Sequence, residues 1–146
     1  MHSWGPDVDD AAQRDLDRLL DAGLRLAQTH LAEAAHFEPE LVVVAEDGRV
    51  LGLAADRTGL GKHPEVDEVL ASAVRQLRRV RTEVVATALV VNTRPQKERT
   101  DAIEVRLEHR NGAAATVLLP YKRATFGARV DYGTLTGFVA RRLVWA

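Results

Sequence analysis

From about Asp9 to His36 the apolar residues fall three or four positions apart: Leu16, Leu20, Leu24, Ala27, Leu31 and Ala34. That is the period of a long helix with one buried stripe. Asp7, Asp9 and Asp10 place an N-cap and negative charge at its start, and Pro39 stops anything continuing from Phe37-Glu38. The period then changes. Leu41-Val42-Val43-Val44-Ala45-Glu46 and Arg49-Val50-Leu51-Gly52-Leu53-Ala54 flank Asp47-Gly48. Asp-Gly between two aliphatic runs predicts a β-hairpin with a tight turn, with Glu46 and Arg49 as a cross-strand ion pair beside it.

Helical spacing returns in Val66, Leu70, Ala73, Leu77 and Val80. Pro64 suits the first helical position; Glu65, Asp67 and Glu68 suit the positive end, and Arg75, Arg78, Arg79 and Arg81 the negative end. Three more strands follow. Val84 to Val91 is apolar almost throughout, which predicts a central strand covered on both faces. From Asp101 to Arg110 the pattern alternates, with Ile103, Val105 and Leu107 inward and Glu104, Arg106 and Glu108 outward. After Arg110-Asn111-Gly112 the chain returns as Ala113 to Lys122. A three-residue loop with Gly112 left-handed pairs Ile103 with Leu119, Val105 with Val117 and Leu107 with Ala115. A two-residue loop would put Val117 and Leu119 on the charged face, so the longer loop is preferred.

The order α-β-β-α-β-β-β predicts an α+β fold in two layers: a five-stranded, mostly antiparallel sheet with two main helices largely on one face. The 146 residues fit a single domain, 1–146. Residues 1–8 read as a flexible start, and 133–146 as an arm or edge strand packing in cis or in trans. The order is similar to that of profilin-like and roadblock/longin-like modules, an analogy of topology that carries no function.

Composition excludes more than it assigns. There is no cysteine, which removes disulfides, thiolate metal sites and cysteine nucleophiles. No run is long enough to cross a bilayer and no secretory signal is visible, so the expectation is a cytoplasmic protein without membrane partners. The net charge of −1 hides a division: residues 1–47 carry 11 acids and 3 bases, residues 48–146 carry 10 acids and 17 bases. The division fits acidic and basic elements of one fold, or of two subunits, facing each other. A nucleic-acid partner is not expected, since the isoelectric point is slightly acid and aromatic residues are few. Arginine outnumbers lysine 17 to 3, a usage that reads as genomic coding bias.

Candidate chemistry is sparse. Asp56-Arg57-Thr58-Gly59-Leu60-Gly61-Lys62-His63 sits where a phosphate loop would, but a Walker A motif needs glycine at 56 and a hydroxyl at 63. It reads as a plain connection, like the segments 94–99 and 124–127. The five histidines show no metal-ligand spacing, and the two serines (Ser3 and Ser72) lie in no nucleophile elbow. No metal, cofactor or catalytic residue is therefore expected. Glu104 and Glu108, alternating with arginine, read as a solvated or interface face. His109, aimed inward beside the Asn111-Gly112 turn, and the cluster Tyr121, Lys122, Arg123 and Tyr132 are the ligand or partner candidates; the plain alternatives are a hydrogen-bonded histidine and a strand end with snorkelling side chains.

Asp101-Ala102-Ile103, Leu107-Glu108-His109 and Leu119-Pro120-Tyr121-Lys122, with the hairpin before the second helix, resemble the pattern of an uncharacterised family of small bacterial, in particular actinobacterial, α+β proteins. The likeness spans roughly residues 10–135. It implies the fold and brings no activity, so no functional residue is carried over. The leading expectation is a non-enzymatic protein-interaction module acting as a homodimer. The alternatives are a small-molecule-binding protein or enzyme with a pocket near His109, Tyr121 and Lys122, and a toxin-neutralising or stress-related partner protein.

Overall fold

The computed structural model describes residues 8–94, 100–124 and 129–146. Helix α1 runs Asp10–Glu33, followed by strands β1 (Glu40–Ala45) and β2 (Val50–Leu53), helix α2 (Val66–Val80), and strands β3 (Val84–Thr93), β4 (Asp101–His109), β5 (Ala114–Arg123), β6 (Val130–Tyr132) and β7 (Thr136–Val139). Among the described residues these strands form one antiparallel sheet in the order β2-β1-β3-β4-β5-β6, with β7 also on β5. The sheet has seven strands where five were predicted. Residues 1–7, 95–99 and 125–128, which hold most of the expected flexible start and parts of two expected loops, lie outside the described residues; Val8 packs against the core.

The helices do not share a face. Alternation along the strands sends Val42, Val44, Ala86, Ala88, Val90, Ile103, Val105 and Leu107 toward Leu16, Leu19, Leu20, Ala27 and Leu31 of α1. It sends Leu41, Val43, Leu89 and Val91 toward Ala73 and Leu77 of α2 on the other side. The expected two-layer arrangement is thus corrected to three layers over β1 and β3. The physical reason is the run of apolar residues in those strands: a strand apolar on both faces needs cover on both.

Asp9 accepts the Ala12 N–H through its carboxylate at 2.7 Å, capping α1. The helix ends at Glu33, three residues before the expected end at His36, with Ala34 as its C-cap. Burying each leucine of the α1 stripe contributes about 2 kcal/mol, more than any cap, so packing holds this helix in place. In the first hairpin Val44 pairs with Val50 and the Ala45 N–H donates to the Arg49 carbonyl at 2.9 Å, leaving a three-residue loop, 46–48, in which Gly48 has φ +88°. Consequently Arg49 meets Asp47 at 2.6 Å, not Glu46, and Glu46 is paired with Arg110 at 2.6 Å. The β4–β5 hairpin has the predicted register, with Ile103 opposite Leu119, Val105 opposite Val117 and Leu107 opposite Ala115, around Gly112 at φ +123°.

For the outer edge the sequence predicts only an arm or edge strand. Tyr121 pairs with Tyr132 and Leu118 with Thr136, so two β5 residues face three on the edge, a one-residue bulge. Pro120 explains its position. Its carbonyl accepts the Gly133 N–H at 2.8 Å, so its nitrogen, which has no hydrogen to donate, also faces the outer strand.

Gly23 marks where α1 crosses the sheet. A Cβ there would stand 2.9 Å from Val90 Cγ2, a buried and rotationally stiff side chain. Alanine gains about 1 kcal/mol of helix propensity, while overpacking costs about 1–3 kcal/mol. Gly23→Ala is expected to lower stability by about 1 kcal/mol and Gly23→Val by more, read as midpoints of urea denaturation. A higher midpoint for Gly23→Ala would show that this crossing is not a close approach.

Candidate functional site

Alternation along β4 turns His109 toward α1, where it is buried. Its Nε2 lies 3.0 Å from Asp15 Oδ2, and the Asn111 N–H donates to Nδ1 at 3.3 Å. The ring proton therefore sits on Nε2, facing Asp15. His109 ties the first half of α1 to the β4–β5 turn, and both ring nitrogens are engaged within the fold.

Tyr121 lies at the opposite end of the hairpin, across from Asp101. Eight residues at ~3.3 Å each put it about 26 Å from His109. The expected pocket shared by His109, Tyr121 and Lys122 is therefore not formed; a hairpin this long separates its turn from its open end. Tyr121 is 3% exposed, and its hydroxyl accepts from Asn92 Nδ2 at 2.8 Å. Asn92 in turn accepts the Phe37 N–H at 3.2 Å. The phenol thus locks β3 to β5 and, through Asn92, to the segment between α1 and β1. Burial pushes the Tyr121 phenol above its ordinary value, against the smaller opposing effect of the Asn92 bond.

The other members of the cluster divide. The Tyr132 ring stands 6.3 Å from that of Tyr121, tilted by 54°. Exposed Lys122 joins both at a shallow cleft of about 240 Å³ shared with Asp131. Arg123 is not part of this cleft. It donates to the Leu31 carbonyl at 2.7 Å and to the Ala34 carbonyl, closing the C-terminal end of α1, where a cation suits the dipole.

The phosphate-loop candidate is bound to α2 through Asp56. The Asp56 N–H donates to Gln76 at 2.8 Å, Ser72 donates to the Asp56 carbonyl at 3.1 Å, and Arg79 meets the Asp56 carboxylate at 3.1 Å. The Thr58 amide, and after it Arg79, hold that carboxyl below its usual range. Asp56 is thereby occupied as a turn-former.

The residue that sequence reasoning missed is Glu108. It lies on the α2 side of the sheet, as alternation predicts, but it is 5% exposed and not solvated. Beyond β7 the chain turns back across the sheet. There Glu108 Oε2 accepts the N–H groups of Leu143 and Val144 at 3.0 and 2.8 Å, and Oε1 accepts that of Trp145 at 2.8 Å. Arg78 donates to the Leu143 carbonyl at 2.7 Å and Arg81 to the Val144 carbonyl at 2.9 Å. Val144 is 3% exposed and packs into the α2-side core. A signal existed in the apolar Leu143-Val144-Trp145, but nothing local names a carboxylate 35 residues away as their acceptor.

Beside this segment lies a cleft of about 290 Å³, floored by Leu89, Arg106 and Thr116 and walled by Leu77, Phe138 and Val144. Arg106 is held by Glu104 at 2.6 Å. Among the described residues no three histidine, aspartate or glutamate side chains gather within reach of one metal ion, and no helix is long and apolar enough to cross a membrane.

Tyr121→Phe strands the Asn92 amide and is expected to cost about 1–2 kcal/mol in chemical denaturation. The raised phenol favours the protonated form in the fold. Its contribution is full below pH 10 and lost as pH rises through the folded value. Wild type should therefore lose stability above pH 10 more steeply than Tyr121→Phe; equal slopes would remove Tyr121 as the cause. Comparison of the chain with protein-family models, with curated proteins and with solved structures finds no match.

Proposed function

We propose that the chain is a non-enzymatic protein-association module that forms a homodimer through the edge of β7 that is left unpaired among the described residues. The observation that carries this reading is the character of that edge. Soluble proteins guard a sheet edge with lysine, proline or a covering loop. Thr136-Gly137-Phe138-Val139 carries no charge, and Phe138 and Val139 are 53% and 88% exposed. Two such edges related by a two-fold axis pair antiparallel with themselves, a closed and self-complementary arrangement. Pairing β7 with β2 of another copy would instead propagate without end. The side chains support association over catalysis: His109, Tyr121 and Arg123 are each engaged in bonds that hold the fold together.

One observation favours a second reading as a small-molecule binder. The cleft at Leu89, Arg106 and Phe138 offers apolar walls with polar groups on its floor, the usual make-up of a ligand site. A ligand that binds only the folded chain raises its melting temperature, so a thermal-shift screen in which no compound acts removes this reading.

Light scattering on the full chain during size exclusion tests the first. The expected mass at micromolar concentration is twice the 16.1 kDa of one chain, and Val139→Lys should give a folded monomer whose melting temperature no longer rises with protein concentration. A wild-type chain that stays monomeric throughout removes the homodimer.

A further inference from the structure

We propose, resting on the small-molecule reading of this cleft, that the space beside the bend at residues 143 and 144 binds a small carboxylate. Its ligand has an apolar body and a second hydrogen-bonding group at the far end from the charge.

The cleft holds two polar groups that the fold leaves unused. Thr87 is 1% and Thr116 9% exposed. Both line the cleft, and neither hydroxyl has a hydrogen-bond partner among the described residues. A buried hydroxyl without a partner costs stability, and valine would fill the same space without that cost. Other buried polar side chains of this sheet are satisfied: His109 by Asp15, Tyr121 by Asn92 and Glu108 by three amides. The two threonines depart from that pattern where they border the same empty volume of about 290 Å³, at the small end of the range for ligand sites.

The surrounding charge selects an anion. Arg106 of β4, Arg78 and Arg81 of α2, and Arg141 and Arg142 beyond β7 gather here against the carboxylates of Glu104 and Glu108. Glu108 is taken up by the amides of the bend. Arg106 gives its Nε–H to Glu104 at 2.6 Å, which leaves the other N–H groups of its planar guanidinium for a second carboxylate. Arg141 is exposed, lines the cleft and is in no ion pair among the described residues.

Register fixes the orientation. Arg106 lies opposite Thr116, and Thr116 opposite half-exposed Phe138, so the charged end of the ligand sits at the mouth. Thr87 lies opposite Glu108, diagonal to Arg106 and therefore about 7–8 Å from it along the sheet. It marks the inner end, and Leu77 and Leu89 supply apolar surface between the two.

The probe is 4-hydroxyphenylacetate, titrated into the full chain and followed by the amide chemical shifts of residues 87, 106 and 116. Saturable shifts at all three are expected. Phenylacetate, which lacks the phenol, and 4-hydroxyphenylacetamide, which lacks the charge, should each bind about tenfold more weakly. Thr87→Val should make phenylacetate and 4-hydroxyphenylacetate bind alike, while raising the urea midpoint of the free chain. Thr116→Leu fills the cleft without altering its charge and should abolish binding. Should Thr116→Leu not fold, the exposed Arg141→Gln decides: it should weaken the acid about threefold and leave the amide unchanged. Equal affinity for acid and amide, or binding that survives Thr116→Leu, overturns the proposal. If this acid fails to bind while a compound of another class raises the melting temperature, the small-molecule reading stands and the carboxylate site falls; if no compound of any class binds, both fall.

Discussion

Two strands at the middle of this protein are apolar on both faces, and the rest of the architecture answers that constraint. β1 and β3 direct Val42, Val44, Ala88 and Val90 to one side and Leu41, Val43, Leu89 and Val91 to the other. One helix cannot cover both sides, so α1 and α2 take one each. The 24-residue α1 reaches across β1, β3 and β4. The 15-residue α2 covers only the β1–β3 half of its side. The outer faces of β4 and β5 are left for something else, and residues 140–146 lie there.

That unevenness accounts for the polar chemistry. On the α1 side polar groups are placed at the rim, where His109 meets Asp15 and Arg123 meets the end of α1. On the α2 side a full row of β4 residues, Glu104, Arg106 and Glu108, had to be accommodated beneath partial cover. Glu104 and Arg106 neutralise each other at the cleft, and Glu108 is satisfied by amides. The division of charge along the chain is partly met within the fold by Glu46–Arg110 and Glu38–Arg57 pairs.

Regular elements with a strong period were legible from the sequence. The stripes of α1 and α2 and the alternation of Ile103, Val105 and Leu107 each declare a buried face, and the face requirement settled the β4–β5 register. The placement of helices on opposite faces is implicit in the almost wholly apolar run from Val84, although the order of elements alone predicts two layers. β6 and β7 were not legible as separate strands, because three or four mostly exposed residues gain their strand geometry from β5's backbone and not from side-chain burial. The candidate site was legible least. Tyr121, Lys122 and Tyr132 do meet, yet His109 is a hairpin's length away, and Glu108 looks like any surface glutamate until a segment distant in sequence closes over it.

Pro120 carries a consequence for how the sheet margin moves. Because it offers no proton to the outer strand, the ladder along β5 is interrupted between β6 and β7. A continuous ladder would zip and unzip as one cooperative unit. Here the margin consists of two separate catches: β7 with the segment behind it can lift away while Tyr132 remains against Tyr121. One missing hydrogen thereby insulates the aromatic lock at one end of the molecule from fluctuations at the other.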